Sequence, residues 1–571
     1  MNKVTCASPL VRICFKGYAF DAANRLVGRT YPDGLNDTLT YDADSRLTNA
    51  TSGRYGTSVT RSYDAGDRIV SEVQRVDNVN YTVGYAYDAA NRKTSITYPD
   101  GSVSARTYTD RNQLKTAKLG TTLLATRVYD AGQRLTSTTF GNALVETRTY
   151  RPDNLVATIT TPGINQLSYS YDANKRVTNE ANPLLPAEGL TYGYDVEDRL
   201  TAFQRGPTAS PLQTQSWSLS LVGNWASTTR DGVAETRTHS SVHEITTLTK
   251  SGTPQVPLNH DAKGNLVLNQ NGQALVWDVE NRLSSASTAP GLAGGQYKYD
   301  VLGRRLKKAV GTLSTVFVHD GDQIIAEYEN GTIKRRYVYG TYIDEPLAMV
   351  SSTGTRYYHQ NRIYHVMAMT NSSGQLAERY GYTPYGKRRV VSPAGATLAA
   401  SAVGNQVGFT GRYHDGETGL TYFRARYMDA ELGRFVGRDP IGYVDGPSLY
   451  GSYFVPANVD PTGEQWQGWA VREGGKAALK ALGLAYLKDY LFGECTKGEV
   501  RTSGIITRQA PCTVYCYDNS KKECSPERIP VQGEQVWRQV QTCNEFNQWV
   551  PSGEATSGCR YDSVPYFTCT N

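Results

Sequence analysis

Tyr41-Asp42-Ala43-Asp44-Ser45-Arg46-Leu47 is the stretch that decides how this 571-residue chain folds, because it recurs. Tyr63-Asp64 with Arg68-Ile69, Tyr87-Asp88 with Arg92, and Tyr129-Asp130 with Arg134-Leu135 repeat it. So do Tyr171-Asp172 with Arg176-Val177 and Tyr194-Asp195 with Arg199-Leu200. Degenerate copies stand at Phe20-Asp21, Tyr108-Thr109-Asp110 and Tyr150-Arg151-Pro152-Asp153. The nine aromatic positions from 20 to 194 are spaced by 21, 22, 24, 21, 21, 21, 21 and 23 residues, one period held throughout. After a gap, Trp277-Asp278 with Arg282-Leu283 and Tyr299-Asp300 with Arg304 resume it, 22 residues apart.

Small or turn-forming residues follow each Tyr-Asp, and an Asp that opens a turn can accept backbone N–H bonds. The Arg four residues on can pair with that Asp across the turn, at about 0–1 kcal/mol for an exposed pair. The flanks alternate and are rich in β-branched residues, so each unit reads as strand, turn and return strand. Two strands of about six residues and two turns account for the period. Tyr, with an apolar body and a polar tip, suits a sheet packed on one face and wet on the other. These Tyr, Asp and Arg residues therefore read as architectural; sugar binding by aromatic stacking is the alternative.

The composition agrees: 40 Tyr against 12 Phe and 7 Trp, with 54 Gly and 24 Pro, favours strands and turns. A net charge of +6 is too mild to imply nucleic acid, and no run approaches the ~20 apolar residues of a membrane helix. The first residues make a poor signal peptide, since Arg12 and Lys16 break the apolar run, and the start is expected to be that of a truncated frame. Cysteine is polarised: Cys6 and Cys14 stand at the start, seven more lie from Cys495 onward, and none falls between.

The repeat, with Tyr-Pro-Asp-Gly at 31–34 and again at 98–101, resembles the YD repeats of bacterial RHS proteins, Tc-toxin C components and teneurins over about residues 18–463. The resemblance implies an all-β fold: a YD-repeat antiparallel β-strand shell, spiralling into a hollow cocoon. Nine to eleven repeats make a short array for that family, which leaves open whether this shell is complete.

Between 380 and 463 a denser signature takes over. It runs Tyr380-Gly-Tyr-Thr-Pro-Tyr-Gly386, Gly408-Phe-Thr-Gly411, Thr418-Gly-Leu-Thr-Tyr-Phe-Arg-Ala-Arg-Tyr427 and Leu432-Gly-Arg-Phe435. Arg438-Asp439-Pro440-Ile441-Gly442 follows, and Asp460-Pro461-Thr462-Gly463 closes it. Each Asp-Pro-x-Gly unit suits a type I turn, which needs no catalysis. The sharper reading brings Asp439 and Asp460, 21 residues apart, together as a carboxylate pair in which one stays protonated while the other activates water.

The signature resembles the RHS repeat-associated core, which plugs one end of the shell. The resemblance implies an intramolecular aspartyl protease that cuts just after the second Asp-Pro-x-Gly, here near Gly463/Glu464, with Arg438 holding or polarising the pair. The chain departs from the family pattern at Asp445–Tyr450, in the shortened segment 451–459, and at Glu464, where the family has Leu. Self-cleavage and a purely structural plug both stay open.

The tail, residues 464–571, is the segment that varies in the family and is often a toxin. Ala470 to Phe492 reads as one helix, docking or membrane-active, ended by Gly493. Cys495, Cys512, Cys516, Cys524, Cys543, Cys559 and Cys569 read as a disulfide scaffold with one odd thiol rather than a zinc ribbon. All seven His precede the tail, which disfavours a His-based nuclease or metal hydrolase there. From residue 464 on, 12 Lys and Arg balance 12 Asp and Glu, so the basic footprint of a nucleic-acid enzyme is missing.

The expected organisation is an N-terminal remnant (1–17), a repeat shell (18–379), the core (380–463), a linker and helix (464–493), and a Cys-rich variable domain (494–571). The expected function is a secreted or surface shell that encloses or presents its own C-terminal domain as cargo, in the manner of a polymorphic toxin. A secretion-system component or an immunity protein is the further partner expected. The alternatives are self-cleavage by the core, and surface adhesion to carbohydrate or protein. No cofactor and no metal is expected.

Overall fold

The computed structural model describes residues 16–443 and 446–464, and strand backbone between 500 and 560. The chain divides into two compact units, 1–469 and 470–571.

In the first unit nearly every strand pairs antiparallel with its neighbour in sequence. From Gly17–Phe20 to Val256–Pro257 this makes one 23-stranded sheet; from Leu275–Trp277 to Thr397–Leu398 it makes a 13-stranded one. A two-stranded link, Asn259–His260 with Leu266–Leu268, stands between them. Four short strands, Tyr413–Asp415, Leu420–Phe423, Arg426–Asp429 and Arg434–Phe435, make the last sheet of the unit.

The turn chemistry explains the repeat. At Tyr129-Asp130, Asp130 Oδ1 accepts the Arg134 backbone N–H at 2.9 Å, and Oδ2 accepts Arg134 Nε at 2.7 Å. Gln133 takes the left-handed conformation that closes the turn, at φ +66°. Asn24, Asn91, Asn112 and Asn154 take it in other repeats, the residue type that tolerates it best. Each turn then clasps the next. The Arg134 guanidinium lies 4.8 Å from the Tyr150 ring, its Nη1 donates to Asn154 Oδ1 at 2.8 Å, and the Tyr150 hydroxyl donates to the Leu135 carbonyl at 2.7 Å. Cation–π contacts of this kind contribute about 0.5–1 kcal/mol each at half-exposed sites, so the array gains its stiffness by repetition.

Strands of the first array alternate: Leu39, Val59, Val83, Ile159 and Phe203 are buried, while the opposite face carries hydroxyl pairs such as Thr149 and Thr158, 2.7 Å apart. The second array is buried on both faces over much of 315–382. On one side it meets the first array, with Tyr81 on Tyr328 (ring centroids 4.9 Å apart) and Tyr98 donating to the Tyr337 carbonyl at 2.7 Å. On the other it meets the segment after 400, with Phe317 on Tyr413 and His365 stacked on Phe409 at 4.4 Å. That segment is also seated on Trp225: a Cβ at Gly433, which stands at φ +70°, would lie 2.0 Å from the indole.

One seam between the arrays is titratable. Glu180 is buried there, with Asn361 Nδ2 donating to Oε2 at 3.2 Å. Burial pushes its carboxyl from 4.5 up to about 7, against the pull of Arg362. A carboxyl that holds its proton more tightly folded than unfolded stabilises the fold fully below about pH 4.5 and gives that up as pH rises through 7, about 3 kcal/mol in all. We expect the urea midpoint of Glu180→Gln to fall less than the wild type's between pH 5 and 8; equal falls would exclude Glu180 as the source.

Among the described residues the second unit is antiparallel β. Val500–Cys512, Val531–Cys543 and Trp549–Arg560 form one sheet, and Cys516–Asp518 pairs with Glu523–Ser525. Cys512, Cys516, Cys524, Cys543 and Cys559 fall on these strands. Cys495, Cys569, Asp445 and the helix expected over 470–492 lie outside the described residues.

Candidate functional site

Both Asp-Pro turns form, by different closures. Gly442 N–H donates to the Asp439 carbonyl at 3.1 Å, and Ile441 N–H to Asp439 Oδ1 at 3.0 Å. In the second turn Gly463 N–H donates to the Asp460 side chain, Oδ1, at 2.8 Å. Both aspartates are buried.

A third element joins them. Arg426 opens the strand Arg426–Asp429 and is itself buried, its guanidinium 3.6 Å from the centre of the Phe435 ring. Its Nη1 stands 2.8 Å from Asp439 Oδ2 and its Nη2 3.3 Å from Asp460 Oδ2. Its Nε donates to the Gly463 carbonyl oxygen, the carbonyl of the Gly463–Glu464 bond. One cation thus touches both carboxylates and the peptide bond where the sequence reading puts a cut.

The chain leaving the core is gripped residue by residue. The Asp460 carbonyl accepts from Arg412, the Pro461 carbonyl from Arg424, the Thr462 carbonyl from the Ala425 backbone at 3.1 Å, and the Gly463 carbonyl from Arg426. Asp344 anchors two of these cations, at 3.3 Å from Arg412 and 2.7 Å from Arg424. Only glycine fits at the end of this run: a Cβ on Gly463, at φ +77°, would stand 1.9 Å from the Phe423 carbonyl oxygen.

Glu464 follows, half-buried at the wall of a cavity of about 280 Å³ that Arg304, His319, Arg412 and Arg424 also line. Burial pushes its carboxyl above the usual range, and Asp460 and Asp322 push the same way against Arg426. The cavity is lined by Thr462 and Glu464 but by neither Asp439 nor Asp460.

Arg438 stands elsewhere. Its Nη2 lies 2.7 Å from Glu244 Oε1 and its Nε 3.2 Å from the Tyr450 hydroxyl, on the outer side of the first turn. The guanidinium that stands against both aspartates is that of Arg426. Tyr-Phe-Arg-Ala-Arg-Tyr was visible as a signature, but spacing alone does not say which of its two arginines turns inward. Among the described residues no group of three or more His, Cys, Asp or Glu could hold a metal ion.

Comparison with known proteins bears on the whole first unit. The family model described as teneurin YD-shell matches residues 29–184 and 163–445. The tRNA3(Ser)-specific nuclease WapA of Bacillus spizizenii is 30% identical over 263 residues, 44% of this chain and 11% of the relative. The double-stranded DNA deaminase toxin A of Burkholderia cenocepacia is 26% identical over 241 residues, 36% of this chain and 16% of the relative. The toxin protein Tse5 of Pseudomonas aeruginosa is 47% identical over 58 residues, 10% of this chain and 4% of the relative. The chain thus spans about a tenth of the length of the first of these relatives. Among solved structures, the TcdB2-TccC3-TEV crystal structure aligns over 78% of this chain and 27% of its own, with a TM-score of 0.55 at 15% identity, a likeness of fold.

Proposed function

Since the chain belongs to the teneurin YD-shell family, we propose that its first unit is a segment of a secreted or surface shell that carries the residues after 463 as cargo. The observation that carries this reading is the grip on the exit: four consecutive carbonyls, Asp460 to Gly463, are each held by a donor of the core segment. A chain end needs no such hold, whereas a segment that must stay attached and aimed does. Relatives whose names are nucleases, a deaminase toxin and a toxin support a toxic cargo. The test is growth of a bacterial host exporting either the full chain or the chain stopped after Gly463. Inhibition by the full chain alone is expected; equal growth of both would remove the toxic-cargo reading.

The shared guanidinium favours a second role, self-cleavage between Gly463 and Glu464. Two carboxyls set against one guanidinium that also meets the Gly463 carbonyl could act on that bond as base and acid. The ionised member takes a proton from water, whose oxygen attacks the Gly463 carbonyl carbon. The other gives its proton to the Glu464 nitrogen as the C–N bond breaks, leaving a Gly463 carboxylate and a free amino group on Glu464. The wild-type chain is expected to run as two fragments whose intact masses split at 463/464; a single full-length mass after prolonged incubation would remove this role.

A further inference from the structure

A second cavity, of about 240 Å³, lies on the seam between the two arrays and shares no lining residue with the one at Glu464. Its first-array side is the start of strand Asn165–Tyr171 and the loop 182–188. Its second-array side is strand Leu376–Tyr382 and the hairpin that follows strand Arg388–Val391.

The charged groups of its wall are Arg379, Arg389 and Glu188, two cations against one carboxylate. Glu188 is already engaged: Arg389 pairs with it, and Arg205 stands 3.7 Å away. Arg379 meets backbone instead, its Nη1 donating to the Ile164 carbonyl and its Nη2 to the Gly163 carbonyl at 3.3 Å. Burial lowers the pKa of this guanidinium below its ordinary value, and no neighbouring charge opposes that. The remaining polar group is an amide. Asn165 is 2% exposed, and its Nδ2 has no hydrogen-bond partner among the described residues. A buried donor without an acceptor is costly, so it calls for a partner. Leu185, Met367 and Val391 give the rest of the wall an apolar character.

We propose that this cavity binds a small organic acid, a monocarboxylate with an apolar body, which bridges the two arrays. A planar guanidinium and an amide N–H are the donors a carboxylate accepts well. One positive charge in excess suits one carboxylate better than a doubly charged phosphate. The size agrees, since a cavity of about 150 Å³ already holds benzene, and this one has room for a ring and its carboxylate. Because both arrays supply the wall, the bound acid braces the seam and stabilises the folded unit by mass action. The ordinary alternative is that Arg379 and Arg389 only stitch the arrays together and that water fills the space.

Titration calorimetry and melting of the full chain separate the two, with sodium benzoate, benzamide and inorganic phosphate as probes. Benzoate at millimolar concentration is expected to bind at one site and raise the melting temperature. Benzamide has the ring without the charge, and phosphate the charge without the ring; each is expected to bind at least about tenfold more weakly. Asn165→Asp removes the donor and sets a built-in carboxylate against the same cations, so benzoate binding is expected to vanish. Arg379→Gln is expected to weaken it about 10- to 100-fold.

A wild-type chain that ignores benzoate in both measurements overturns the proposal. So does benzamide or phosphate bound as tightly as benzoate, since the charge or the apolar body then plays no part. Undiminished binding by a folded Asn165→Asp chain overturns the location. If Arg379→Gln does not fold, because the Gly163 and Ile164 carbonyls lose their donor, Asn165→Asp and the three wild-type titrations decide. None of these readouts depends on a cut at Gly463–Glu464.

Discussion

Asp415→Asn is expected to cost the first unit about 3–5 kcal/mol, the size of loss seen when one partner of a buried ion pair is removed. Arg305 and Asp415 both have wholly buried side chains. Asp415 meets Arg305 through both oxygens and Lys308 through one, at 3.1 Å. Lys308 also reaches Glu417 at 3.2 Å, which accepts the Tyr297 hydroxyl at 2.9 Å, and the Arg305 guanidinium lies 4.2 Å from the Tyr422 ring centre. Burial opposes the charge on Asp415, yet Arg305 and Lys308 hold its carboxyl below the usual range, while burial and Asp415 push Glu417 above it.

Asparagine keeps the shape and removes the charge, which leaves Arg305 and Lys308 with Glu417 alone in a dry site. The pair joins the second array, through strand Arg305–Val310, to the strand Tyr413–Asp415, so its loss loosens the packing of the segment after 400 on that array. A urea titration followed by tryptophan fluorescence measures the fall. The double variant Arg305→Met/Asp415→Leu is expected to recover much of it, since apolar side chains of similar volume often replace a buried pair without loss. A single variant as stable as the wild type would mean that water already reaches the pair.

The architecture was legible because its signal is local. Tyr, Asp and Arg at fixed spacing announce a hairpin, and the Asp–Arg bond across the turn, foreseen from that spacing, forms in every well-matched copy, as at Asp42–Arg46 and Asp172–Arg176. What the letters hid is the array's continuity. The gap between 194 and 277 is filled by turns of the same kind: Ser220 N–H bonds the Asn224 carbonyl, Ser240 N–H the Glu244 carbonyl, and Asp261 N–H the Asn265 carbonyl. Ser220 Oγ and Ser240 Oγ accept the N–H that Asp takes elsewhere. The backbone asks only for a side-chain oxygen one residue past the strand end, and Ser, Thr or Asn can supply it as well as Asp.

The site was half legible for a related reason. Asp439 and Asp460 were marked by their turns, which are local. Their partner was not, because Arg426 reaches them only through the crossing of two segments, and sequence distance carries no direction. The same limit applies between arrays: nothing near Glu180 in sequence foretells Asn361 or Arg362 as its neighbours.

Asp439→Asn and Asp460→Asn are each expected to stop the cut at Gly463–Glu464, slowing it at least about 100-fold, the lower end of what one acid or base contributes. The amide keeps the local bonds. In Asp460→Asn the new amide oxygen can still accept the Gly463 N–H that closes the second turn. In Asp439→Asn it can accept the Ile441 N–H, so neither turn is lost. Either variant also leaves one carboxylate for Arg426, unlike Asp415→Asn, so a melting temperature close to the wild type's is expected. What the amide removes is one of the two proton-transfer groups: with one carboxyl gone, the base that takes water's proton and the acid that protonates the Glu464 nitrogen are no longer both present. The expected gel shows one full-length band, 62.8 kDa, for each variant and two for the wild type. If either folded variant splits at the wild-type rate, that aspartate takes no part in the chemistry and the two-carboxyl mechanism is wrong, although the cut itself stands.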